Sequence, residues 1–67
     1  MISDERAEND ADLRALLARH DVKIYRVAAR LNAHPSTLSL WLHGKKPLTP
    51  DLAARIAAAI ADEARSA

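Results

Sequence analysis

The chain has no cysteine and no phenylalanine, a single glycine, and one each of tryptophan, tyrosine and methionine among its 67 residues. Without cysteine there is neither a disulfide framework nor a thiolate metal site, so cohesion has to come from side-chain packing or from a partner subunit. Few aromatics and few β-branched runs argue against sheet. No apolar run approaches the roughly 20 residues that cross a bilayer, and the amino terminus is acidic where a secretion signal is basic. The chain is therefore expected in the cytoplasm and away from membranes. His20, His34 and His43 are too dispersed for a metal site, and neither an HExxH nor a Cys-His finger spacing occurs. No glycine-flanked elbow surrounds Ser36 or Ser39, and so short a chain leaves little room for a pocket of converging titratable groups. These absences predict no enzyme, no cofactor, no metal and no small-molecule ligand.

What remains is an apolar content that is nearly all Ala, Leu, Ile and Val, residues that favour helix. The expected fold class is all-α, a small bundle of four to five helices in one domain spanning residues 1–67, with residues 1–9 an acidic extension that frays. The small net charge of +1 conceals an asymmetry. Asp4, Glu5, Glu8, Asp10 and Asp12 face Arg6 at the start. Arg14, Arg19, Lys23, Arg26, Arg30, Lys45 and Lys46 face only Asp21 in the middle, and the last stretch is nearly balanced. The local field, not the total, decides what a surface attracts.

Apolar spacing marks out the helices. Leu13, Leu16, Leu17 and His20 form one stripe, giving a first helix from about Asp10 or, with Ser3 as its cap, from Ser3. Ile24, Val27, Ala28 and Leu31 form a second, behind a weak cap at Lys23, with Asn32 suited to the left-handed stop. Pro35 fits the first position of a third helix and leaves His34 as an uncommon N-cap. Leu38, Trp41 and Leu42 then turn inward, Ser36, Ser39, Leu40 and His43 turn outward or sideways, and Gly44 ends the helix. After a basic loop, Thr49, Pro50 and Asp51 signal a fourth helix, carried on by Leu52, Ile56, Ala59 and Ile60.

The central stretch from Val27 to Pro47, VAARLNAHPSTLSLWLHGKKP, resembles the helix-turn-helix of the phage Cro and repressor type, also called Xre-like, a lambda-repressor-like DNA-binding domain. An alanine on the first helix of the pair, an apolar turn residue, an apolar-Ser pair and a terminal Gly-Lys carry the likeness, which covers roughly residues 13–61. Physical reasons accompany the matched positions. Ala28 is small where two helices cross, Ala33 and Leu38 fill the wedge between them, and Trp41 is expected to seal it as a core residue.

The resemblance implies a sequence-specific regulator of transcription that binds double-stranded DNA, with base contacts at Pro35, Ser36, Ser39 and Leu40. Phosphate contacts fall to Lys23, Arg26, Thr37, His43, Lys45 and Lys46. This reader lacks the Arg, Gln or Asn whose paired hydrogen bonds usually carry base specificity, so water or DNA shape gains weight. A homodimer on a palindromic operator, repressing by occlusion of a promoter, is the expected mode, because two-fold pairing doubles the few base contacts one module offers. A Cro-like switch, an autoregulator and an antitoxin all fit. The alternative is a helical protein-interaction module without DNA binding, in which the Ala-rich last helix docks a partner.

Overall fold

The computed structural model describes residues 9–66 as four helices: α1 (Asp10–His20), α2 (Ile24–Arg30), α3 (Pro35–Leu42) and α4 (Pro50–Ser66). No strand occurs among the described residues, and the all-α reading holds with four helices. The expected cap at Ser3 lies outside the described residues. In its place Asn9 caps α1, its side-chain oxygen accepting from the Asp12 amide at 2.9 Å. Asn with an acid three residues on is a start signal in its own right. Thr49 caps α4 as expected, its hydroxyl accepting from the Leu52 amide at 3.1 Å, with Pro50 at the first helical position.

Each of the first three helices stops in the same way. Asp21, Asn32 and Gly44 take φ of 55°, 57° and 73°, the left-handed region. The amide after each reaches back across the last turn: Val22 to the Leu17 carbonyl at 3.1 Å, Ala33 to Ala28 at 2.9 Å and Lys45 to Leu40 at 2.8 Å. This six-to-one closure satisfies carbonyls that a helix end otherwise leaves to water. The expectation for Asn32 and Gly44 is met. Asp21 plays the same part for α1, with His20 merely in the last helical turn.

The core is formed by Leu13, Leu16 and Leu17 of α1, Val27 and Ala28 of α2, Leu38 and Leu42 of α3, and Ala53, Ile56, Ala59 and Ile60 of α4. No polar side chain is buried among the described residues. Each fully buried Leu or Ile adds about 1.5–3 kcal/mol, which in so small a domain makes every one of them matter. Helix α1 packs on α4 and α3, and α2 packs on the same two, so α3 and α4 are each gripped from both sides. Ala28 is fully buried, as its place at the helix crossing requires.

One expectation about the core needs correction. Trp41 is only half-buried, a wall at the edge of the core and not its seal, because the interior is already filled by Leu38 and Leu42 one turn apart. In the first turns of α4, Ala53 is fully buried along with Ile56, while Leu52 stays half-exposed. A small side chain lets α4 approach closely, and the larger leucine fits only at the rim.

Candidate nucleic-acid interface

Helix α3 divides cleanly by face. Leu38 and Leu42 point into the core, and Pro35, Ser39, His43, Ser36 and Leu40 follow round an arc of about 140° that starts beside Leu42. Pro35, Ser36 and His43 are exposed, Ser39 and Thr37 are half-buried, and Leu40 retains 39% of its surface. Of the hydroxyls expected to point outward, Ser36 is thus exposed and Ser39 partly covered.

Both serines are tied to histidines that bracket the helix. At the N-cap, His34 Nδ1 accepts from the Ser36 amide at 3.2 Å and lies 2.7 Å from Ser36 Oγ. At the other end, His43 Nδ1 donates to the Ser39 carbonyl at 2.9 Å and sits 3.4 Å from Ser39 Oγ. The sequence marks His34 only as an uncommon cap and His43 only as a phosphate contact, and that reading misses the hold of each on a serine. For His34 the signal was there in the spacing, since an N-cap side chain meets the amide two positions on.

The left-handed turn at Gly44 carries Lys45 and Lys46 away from the end of α3, both exposed, and the amides of both close onto the Leu40 carbonyl. On the α1 side, Arg14 bonds the Leu42 carbonyl and pairs with Asp10 at 3.2 Å, strapping the end of α3 to the first helix. No acidic side chain among the described residues pairs with Lys23, Lys45 or Lys46. Their charge is available to an outside anion.

Arg26 differs. Its Nε donates to Glu63 Oε1 at 2.9 Å, and Arg30 Nε donates to the other oxygen at 2.5 Å, so one carboxylate of α4 clasps two arginines of α2. Arg30 also bonds Ser66 at 3.0 Å and approaches Asp62 at 4.0 Å, and Asp62 pairs with Arg65. The hydrogen bonds from Arg26 and then Arg30 hold the Glu63 carboxyl below its ordinary value, and the same Glu63 bond raises Arg26. Among the site residues named from sequence, the structure brings Pro35, Ser36, Ser39, Leu40 and His43 onto one helix face with the lysine pair at its end. It directs Arg26 toward α4.

A helix whose outer face is polar and unobstructed, seated on a shorter helix across a tight turn and followed by unpaired lysines, is the geometry of a helix-turn-helix. The sequence matches the Cro/C1-type HTH DNA-binding domain over residues 12–61, from within α1 to within α4. The chain belongs to this family. No curated protein and no solved structure matches it. The Cro/C1-type assignment makes the protein a DNA-binding regulator whose partner is double-stranded DNA. No described helix is long and apolar enough to cross a membrane.

Proposed function

We propose that this Cro/C1-type domain is a transcriptional repressor that binds a palindromic operator as a homodimer and silences a promoter by occupying it. Helix α3 enters the major groove. Pro35, Ser36, Ser39 and Leu40 meet base edges, the prolyl and leucyl side chains against thymine methyl groups and the hydroxyls against hydrogen-bonding atoms. Lys45 and Lys46 hold phosphates beside the groove, and Lys23, Thr37 and His43 add contacts to the sugar-phosphate backbone. The observation that carries this reading is the exposed polar face of α3 ending in two lysines that no acid of the described chain neutralises. Arg26 serves this function less directly, since its guanidinium is already engaged by Glu63.

Selection of binding sites from a pool of random duplexes tests it. The expected product is an inverted repeat with half-sites about one helical turn apart, bound with a steep loss of affinity as salt rises. An asymmetric single site removes the dimer. Binding that ignores ionic strength removes the phosphate contacts and favours a protein-interaction module. Transcription from a promoter carrying the recovered site, with and without the protein, then separates repression from activation.

A further inference from the structure

We infer that His34 sets the hydrogen-bonding polarity of Ser36, turning its hydroxyl into an acceptor that selects for an exocyclic amino group on the base it meets. The inference rests on the reading of α3 as the helix that enters the groove. A serine hydroxyl ordinarily can donate one hydrogen bond and accept two, so by itself it suits adenine, cytosine, guanine and thymine about equally. At Ser36 that freedom is removed. The Ser36 amide can only donate, and it donates to His34 Nδ1 at 3.2 Å. Nδ1 therefore carries a lone pair, and the ring proton resides on Nε2. Ser36 Oγ lies 2.7 Å from the same nitrogen and has to be the donor in that contact as well. Its proton points back at the cap, and only lone pairs face outward.

Ser39 is not restricted in this way. The Ser39 carbonyl can only accept, so His43 Nδ1 carries a proton and donates to it at 2.9 Å. Oγ of Ser39, 3.4 Å from the same Nδ1–H, is at most a second acceptor there and keeps its own proton for a partner outside. Two serines one turn apart thus present different chemistry to the groove. Ser36 requires a donor, adenine N6 or cytosine N4 in the major groove, and Ser39 retains either role. A reader without Arg, Gln or Asn gains discrimination in this way from a neighbouring imidazole that touches no base.

The test uses the full chain and an operator recovered from random duplexes. The base pair at which Ser36→Ala alters the recovered preference is located first. At that pair the exocyclic amino group is deleted with a base analogue lacking it, and in a separate duplex the opposing carbonyl oxygen is deleted. Affinity is measured for the unaltered chain, Ser36→Ala, His34→Ala and His34→Asn. The unaltered chain is expected to lose about two- to tenfold on amino deletion and little on carbonyl deletion, and Ser36→Ala to lose nothing further on either. In His34→Ala the released hydroxyl also donates, so the ratio between the two deletions falls toward one. In His34→Asn, which keeps a capping acceptor, the ratio is retained.

Sensitivity to the carbonyl in place of the amino group overturns the assigned polarity while leaving Ser36 a base contact. An unchanged ratio in His34→Ala, or equal relaxation in His34→Ala and His34→Asn, removes His34 as the positioning residue. Should Ser36→Ala alter no position of the recovered site, the placement of α3 itself fails, and the polarity with it.

Discussion

The two basic surfaces of this domain use the same kind of charge in opposite ways. On the α2 and α4 side, Arg26 and Arg30 are clasped by Glu63, with Asp62 and Ser66 close by, so cations that look available in the sequence are spent on holding two helices together. On the α3 side, Lys45 and Lys46 form no ion pair with an acid among the described residues, and the helix before them carries hydroxyls. Charge count alone therefore does not identify a nucleic-acid surface. What distinguishes it is whether the protein has already supplied the counter-ion. An arginine whose charge is already balanced by a carboxylate attracts a phosphate less strongly, whereas an exposed lysine only sheds water and salt.

A negative charge introduced on one side and not the other gives the largest expected effect. Ser39→Glu places a carboxylate against the phosphate field and is expected to abolish duplex binding with helicity by circular dichroism unchanged, whereas Ala58→Glu on the exposed side of α4 leaves affinity nearly as it was. Equal losses in the two variants would erase the distinction between the faces. Next in size, replacing Lys45 and Lys46 together by Ala is expected to weaken binding to specific and random duplexes alike and to reduce the salt slope by about two, read by titration at several ionic strengths. A loss confined to one sequence would make these lysines base readers.

A smaller effect is expected at the joint between the lysines and α3. Gly44→Ala forces an L side chain into φ of 73° and brings its Cβ to 3.1 Å from Asp10 Oδ2, close to the Arg14 strap on Leu42. A destabilisation of about 1 kcal/mol follows from the backbone alone, measurable as a lower denaturant midpoint. The smallest effect belongs to the clasp. Because the Glu63 carboxyl is held below its ordinary value, it stabilises the fold at neutral pH, and this contribution is lost as pH falls below the usual carboxylate range. Glu63→Gln is expected to lower the melting temperature slightly at neutral pH, to flatten the acid limb of the stability curve, and to leave operator affinity intact once folded. Reduced affinity in that variant would place the clasp in the DNA-binding surface after all.

Much of this architecture was legible because its signals are local. Thr49-Pro50-Asp51, Pro35, Asn32 and Gly44 each act within a few residues, and apolar spacing then assigned most of the core. The clasp was not legible, since Glu63 lies 37 residues from Arg26 and 33 from Arg30. Only the four-residue spacing of the two arginines hinted that they share a face. Trp41 misled because size argues for a central place, whereas volume already supplied by Leu38 and Leu42 displaced it to the rim. On α3 the exposed residues could be named from helical period, but the direction in which the Ser36 hydroxyl donates depends on an imidazole tautomer, which no periodicity encodes.

The triple recurrence of a left-handed stop, at Asp21, Asn32 and Gly44, bears on the thermodynamics of recognition. Every change of heading along the first three helices is locked by short-range amides, so α3 holds its direction before any duplex arrives. Little conformational freedom in these turns is left to surrender on contact, a cost that a floppier module would bear in ordering.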